Sequence, residues 1–355
     1  FIAMIEQVNK FFKKIFPNDE TVVFAFLIFA ALIIFSIFSS ILPPFIISIV
    51  TAYLLVGLQK KIQSFGLGLQ LSSITTFTIF IIVSTALLFW LMPILYNQLQ
   101  SFVVDMPRLI NEFINFVATI PAAYPELVSS DQISLFFQAV SSELTSITQN
   151  IVKTSISGIQ STITFLIYVI LFPILVYFFF FDRKNITNGF VKIIPGKRDM
   201  LLKVWEEMDV QLSNYVRGKS LEIVIVGFAA AIIFVSLGLK YSALLSVLVG
   251  LSVIIPYIGA FLVTIPVVLV GLLQFGTTFD FWLLIILYLL LQGLDGNLLV
   301  PIIFSDAVKL HPVAIIVAVF VFGSMFGFWG VFFAIPIATF IKAVWNAWPS
   351  YQDQQ

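Results

Sequence analysis

The chain has no cysteine and a single histidine, His311, among its 355 residues. Disulfides, thiol catalysis and thiolate metal sites are thereby excluded, and so is any two-histidine zinc motif. Charge is scarce as well. Asp, Glu, Lys and Arg make up 10% of the residues, against roughly 25% in an ordinary soluble domain. Net charge is zero, so no basic surface calls for nucleic acid as a partner. There is no Gly-x-x-x-x-Gly-Lys phosphate loop and no Gly-x-Ser-x-Gly elbow, which speaks against ATP-driven pumping by this chain and against serine hydrolysis.

What the chain does have is apolar residues, 60% of the total, gathered in blocks. Residues 21–38, 74–96, 156–181 and 221–239 carry no charge beyond Glu222 at one edge. Each is close to or above the ~20 residues needed to cross ~30 Å of hydrocarbon. The fold class expected is all-α: a polytopic integral membrane protein whose main partner is the lipid bilayer. Eight segments fit, at 21–38, 41–58, 74–96, 156–181, 221–239, 242–275, 281–304 and 312–345. The second opens on Pro43-Pro44 and should form a tight hairpin with the first.

Basic residues set the orientation. Lys10, Lys13 and Lys14 precede the first block in the pattern of a signal anchor, and Lys60 and Lys61 follow the second. Eight more Lys and Arg lie between Arg183 and Lys219, whereas 97–155 is acidic, with Asp105, Glu112, Glu126, Asp131 and Glu143. The plan expected is therefore a stub and three segments over 1–96, external amphipathic helices over 97–155 and a fourth segment over 156–181. A cytoplasmic amphipathic loop over 182–220, transport-site segments over 221–345 and a cytoplasmic tail over 346–355 complete it. Both termini are expected in the cytoplasm.

Within 97–155, Leu99, Phe102, Met106, Leu109, Phe113, Phe116 and Ile120 recur at helical spacing, and Ile133 to Ile151 form a short heptad seam. The seam packs either on the protein's own first helix or between subunits. In the inner loop, Leu201, Val204, Met208, Leu212 and Tyr215 make one apolar stripe. Such a helix would lie along the membrane surface and lead into the fifth segment.

The last third is unusual. Blocks 242–275 and 312–345 are each about 34 residues, or ~50 Å as straight helices at ~1.5 Å per residue. Each is interrupted near its middle, one by Ile255-Pro-Tyr-Ile-Gly259 and the other by Phe326-Gly-Phe-Trp-Gly330. Proline removes a backbone donor and glycine loosens the chain. Paired interruptions of this kind point to a transport site. Kinked crossings and re-entrant hairpins both fit the lengths. Between the two blocks lies Gln292-Gly-Leu-Asp295-Gly-Asn297-Leu-Leu-Val-Pro301. A carboxylate near the bilayer centre costs ~2.5–3.5 kcal/mol on insertion and then normally faces a cavity or a partner. At the interface the same residue costs little. His311, at a helix start, fits a cap better than a proton shuttle.

The stretches Asn214-Tyr-Val-Arg-Gly-Lys219, Ile255-Pro-Tyr-Ile-Gly259, Gly296-Asn-Leu-Leu-Val-Pro301, Leu310-His-Pro312 and Phe326-Gly-Phe-Trp-Gly330 with Ala334-Ile-Pro336 occur in that order. Together they resemble the AI-2E (UPF0118) family of bacterial permeases. The resemblance implies an eight-segment transporter in the bacterial inner membrane, assembled as a ring-like homo-oligomer, a pentamer being the expected state. It implies export of an autoinducer-2-like signal, or antiport of sodium or lithium for protons. The family often has Glu where this chain has Asp295.

The function expected is secondary transport of a small solute or monovalent cation in exchange with H+ or Na+, and not catalysis. No cofactor and no bound metal are expected beyond that coupling ion at Asp295. Candidate site residues are Asp295, Asn297, Gln292, Pro256, Tyr257, Gly259, Gly296, Pro301, His311, Gly327 and Gly330. Asp295 would be the coupling carboxylate, with Asn297 and Gln292 as neutral ligands and free carbonyls near Pro256 and Gly327 completing the shell. No second intramembrane carboxylate is expected to pair with Asp295. The alternative is a passive oligomeric pore without ion coupling.

Overall fold

The computed structural model describes residues 16, 18–38, 41–118, 158–193, 199–256, 258–304 and 310–348. All regular structure in these residues is helical. In chain order the helices are α1 (Asp19–Phe38), α2 (Pro43–Gln63), α3 (Leu69–Ala86), α4 (Met92–Ala118), α5 (Gly158–Phe181), α6 (Arg183–Ile193) and α7 (Asp199–Ser236). They continue with α8 (Ser242–Ser252), α9 (Ile258–Phe275), α10 (Phe279–Leu294), α11 (Val300–Phe304), α12 (Pro312–Phe332) and α13 (Ala334–Ala347). Two π-turns, Leu87–Leu91 and Asp295–Leu299, join α3 to α4 and α10 to α11.

Five helical stretches are long and apolar enough to cross a bilayer: Pro43–Gln63, Leu69–Asn115, Met200–Ser236, Ile258–Phe275 and Phe279–Phe304. Their outward faces agree with lipid contact. On α7, Val224, Phe228, Ile232 and Val235 are exposed while Val226, Ala230 and Phe234 are fully buried. A helix apolar on both its inner and outer faces belongs in hydrocarbon, because water would be repelled by the outer stripe. The protein is a multi-pass membrane protein.

At two boundaries expected from the sequence the helix continues unbroken. The apolar stripe at 201–215 is not a separate helix: it and the fifth segment are one uninterrupted 38-residue helix, α7. A helix already closed by backbone hydrogen bonds has no reason to bend where only its side-chain polarity changes. Likewise 97–118 continues the third segment without a break, through a π-turn and α4. The heptad seam at 133–151 lies outside the described residues.

The chain forms two compact units. One comprises residues Phe1–Thr78, Ile170–Gly218 and Phe304–Gln355. In it Phe24 of α1, Met200 and Val204 of α7 and Ala343 of α13 form a buried cluster, and Tyr215, Val216 and Ile335 form another. The Glu20 carboxylate accepts the Met200 N–H at 2.6 Å, satisfying a free donor at the start of α7. Just before α2, the Ile41 and Leu42 N–H groups donate to the Phe38 carbonyl.

The other unit comprises Ile79–Val169 and Lys219–Ile303. Its core joins α4, α7, α8, α9 and α10 through Phe102, Phe234, Leu245, Val249, Val267, Leu284 and Tyr288. Helices α7 and α8 cross where Gly227 meets Gly250, the small-residue contact that lets backbones approach within a membrane. Gln98 accepts the Leu244 N–H at 2.9 Å. The Tyr241 hydroxyl donates to the Asp105 carboxylate. Burial, then that bond, pushes the phenol up to about 12.

Candidate transport site

Both interrupted blocks are hairpins, which decides between the two readings of their length. In the first, α8 and α9 pack against each other. A Cβ placed on Gly259 would lie 3.2 Å from the Ser252 Cα and would run into the Ser252 carbonyl. In a straight helix residues seven apart are separated by ~10 Å. The chain therefore turns back on itself at Pro256. In the second, α12 and α13 pack together, and a Cβ on Gly330 would run into the Phe322 carbonyl, eight residues earlier. That turn passes through Gly327 at φ 59°, ψ −140°, a conformation open in practice only to glycine. At 11 residues α8 spans ~16 Å, too little to cross a bilayer.

The expected shell of free carbonyls at Pro256 is not what this turn provides. The Leu251, Ser252, Ile255 and Pro256 carbonyls accept the N–H groups of Ile254, Ile255, Gly259 and Ile258 respectively. The reversal thus uses these four carbonyls, that of Pro256 included, within its own turn.

Polar groups gather instead in the second unit, on the facing sides of α7, α9 and α10. Tyr288, Gln292 and Asp295 follow each other at four- and three-residue steps and so share one side of α10. Their hydrogen bonds have a fixed direction. The Thr264 hydroxyl donates to the Ala260 carbonyl at 2.7 Å, so it accepts from the Tyr288 hydroxyl, 3.0 Å away. Tyr288 in turn accepts from the Gln292 amide nitrogen at 2.8 Å. The end of this chain that remains is the Gln292 carbonyl oxygen, an acceptor. Tyr288 itself is fully buried, with its ring against Phe234.

Asp295 opens the π-turn, in which the Val300 N–H reaches back five residues to the Asp295 carbonyl. Such wide turns recur at functional sites because they re-aim side chains. Gly293 and Gly296 flank it with open space around each, and glycine weakens the tighter α-helical alternative. The Asp295 Oδ1 is buried and has no hydrogen-bond partner.

A second carboxylate stands nearby, contrary to expectation. Glu222 of α7 is 1% exposed and receives the Lys219 ammonium on both oxygens, at 3.0 and 2.8 Å. The charge of Lys219 reaches Asp295, and that of Asp295 reaches Glu222. Glu222 sits 73 positions before Asp295 (295 − 222) at the edge of an apolar block, where the sequence gives it the look of an interfacial residue. The local signal was the Lys219-to-Glu222 spacing of three, which puts an ion pair on one face of a helix otherwise entering hydrocarbon.

Of the residues singled out from the sequence, Pro256, Gly259, Gln292, Asp295, Gly296, Asn297 and Pro301 belong to this unit. Asn297 is exposed and donates to the Gly293 carbonyl at 2.8 Å, serving the π-turn's backbone. His311, Gly327 and Gly330 belong to the other unit. His311 is the cap of α12, its Nδ1 accepting the Val313 N–H at 3.3 Å. Tyr257 lies outside the described residues.

A multi-pass helical protein with broken segments folded into helical hairpins and a buried ion pair within its spans has the construction of a membrane transporter. Comparison with known proteins agrees. Residues 22–350 match the family model described as AI-2E family transporter, and the chain belongs to that family. It is 40% identical to PerM of Escherichia coli (strain K12), named as a candidate permease, over 99% of this chain and all of that one. It is 25% identical to a candidate transport protein of Thermotoga maritima over 95% of this chain and 97% of that one. YueF of Bacillus subtilis (strain 168), also named as a candidate transport protein, is 30% identical over 59% of this chain and 57% of its own length.

Proposed function

We propose that this protein is a secondary transporter of the bacterial inner membrane, with Asp295 as its coupling carboxylate. It moves a small polar solute or a monovalent cation in exchange with H+ or Na+, with both termini in the cytoplasm and the working form a homo-oligomer. The observation that carries the reading is the buried, unpartnered Asp295 Oδ1 within a membrane-crossing stretch, in reach of the charge of Lys219, which is ion-paired with Glu222. An acceptor without a donor in a low-dielectric layer is costly unless a proton or cation visits it. The Gln292 carbonyl, one turn away, offers a second acceptor to the same visitor.

The test is flux in proteoliposomes under imposed proton and sodium gradients, with wild type and Asp295→Asn side by side. Loss of ion-coupled flux in the variant, with the protein still folded, is the expected result. Flux and ion dependence both unchanged would remove Asp295 from the role. Conductance with no coupling in the wild type would make the protein a passive pore.

A further inference from the structure

We propose that Arg217, seated in a notch at Gly57, holds the phosphate group of an anionic phospholipid. Both residues belong to the first of the two units. A Cβ placed on Gly57 would lie 2.8 Å from the Arg217 Nε, 3.3 Å from its Cζ and 3.4 Å from its Cδ. The guanidinium therefore lies directly on the backbone of α2, in space that any larger residue would fill. Its Nε is buried there and has no hydrogen-bond partner. None of the ion pairs among the described residues includes Arg217. Carboxylates on its own helix are engaged by other groups: Asp209 accepts the Tyr53 hydroxyl at 2.7 Å, Glu207 accepts the Gln211 amide at 3.0 Å, and Glu222 receives Lys219.

An arginine keeps its proton in a folded protein. A positive charge with a buried, unanswered donor thus stands in a membrane-crossing stretch, where α7 changes from polar to apolar residues. That is costly unless an anion meets it. The surroundings say which anion fits. Helix α2 is itself a crossing stretch, and its last turn carries Lys60 and Lys61, both exposed. They follow Gly57 by three and four residues, so they stand on the notch's side of α2, ~4.5–6 Å further along the axis. Lysines at the end of a crossing helix mark the headgroup level. Basic clusters at that level recognise acidic headgroups. The planar guanidinium presents paired donors to phosphate oxygens, and the lysines add point charge. Leu58, beside the notch, is exposed and offers apolar surface to an acyl chain. A soluble phosphate ester carries the same oxygens without that chain.

Binding is read by native mass spectrometry on the purified full-length protein in detergent, with phosphatidylglycerol, phosphatidylcholine and inorganic phosphate titrated in separate arms. Wild type should take phosphatidylglycerol at least ~10-fold more tightly than phosphatidylcholine, the worth of one charge-assisted hydrogen bond. Arg217→Gln should lose that preference. Gly57→Ala should lose it too, although it alters no charge, because the new methyl occupies the guanidinium's seat. That methyl meets only the far end of a flexible side chain, which can swing away while α2 stays folded. Lys60→Gln/Lys61→Gln should weaken binding at low salt and leave the preference standing at high salt, since exposed charges are screened and a partly buried one much less.

A wild type without the preference overturns the proposal, and so does its retention by either Arg217→Gln or Gly57→Ala. If Arg217→Gln does not fold, Gly57→Ala decides alone, because its charge is that of wild type. A preference lost only in the lysine pair would assign the lipid to general surface charge and remove Arg217 from the role. Inorganic phosphate separates the two sources of the anion. An Arg217-dependent adduct with it, and none with phosphatidylglycerol, gives the seat to a soluble phosphate ester and overturns the lipid.

Discussion

Alanine at position 259 tests the hairpin directly, because two architectures predict effects of opposite sign. In a continuous helix, Gly→Ala is favourable by up to ~1 kcal/mol. In the hairpin, the new methyl falls 2.7 Å from the Ser252 carbonyl carbon and 3.2 Å from its Cα. The obstacle is backbone, so no side chain can swing aside and α8 and α9 must part. Overpacking of that kind costs typically ~1–3 kcal/mol. The matched control is Gly293→Ala, inside α10 with nothing near the added carbon, where only the propensity gain applies. The gap between the two variants should therefore be ~1–4 kcal/mol. Unfolding in mixed micelles of rising SDS fraction, followed by tryptophan fluorescence, reads it. Gly259→Ala should unfold at a lower SDS fraction than wild type, and Gly293→Ala at the same fraction or a higher one. A Gly259→Ala protein as stable as Gly293→Ala would refute the reversal at Pro256.

Gly327→Ala should cost ~1–3 kcal/mol in the same assay, since its backbone sits where side chains are not tolerated; a neutral result would remove the positive-φ turn. Tyr288→Phe removes the link between Thr264 and Gln292 and should cost ~0.6–1.7 kcal/mol, the range measured for hydrogen bonds within membranes. It should also weaken cation dependence of flux, because the Gln292 amide is then free to rotate; unchanged dependence would mean that orientation is not used. Tyr241 has its pKa raised from 10.0 to about 12, so the folded state holds its proton more tightly than the unfolded chain. Its contribution to stability is full below pH 10 and is lost as pH rises from there through about 12. An absorbance titration should show Tyr241 ionising late, and Asp105→Asn should move it part of the way back, burial being the larger cause.

Much of the fold was legible because the bilayer limits the solutions. A block such as 21–38, apolar and without a turn residue, can satisfy its backbone in hydrocarbon only as a helix. The two interruptions were legible for the same reason, since Pro256 and Gly327 have no place in an uninterrupted wall. Their outcome was not, because crossing and returning bury similar apolar area and use the same residues. Contact decided it, through Gly259 on Ser252 and Gly330 on Phe322. The continuity of α7 was hidden by a change of polarity at Lys219 that reads as a loop boundary.

The site divides in the same way. Asp295, Gln292 and their glycines stood out as polar groups within an apolar span, a purely local signal. Nothing local tied Glu222 to them, nor Thr264 to Tyr288, because those partners come from different helices. By itself the sequence determined that this chain lives in a membrane, that it is helical, and that residues 292–301 set polar groups within an apolar span. Hydropathy and composition act along the chain, and the bilayer turns them into structure with little ambiguity. The tertiary structure alone decided that the broken segments turn back, that the Pro256 carbonyls are spent within their own turn, and that a lysine and a second carboxylate attend Asp295. Those are matters of which backbones meet at van der Waals distance and which charges share one dry layer, and spacing along a chain does not specify either.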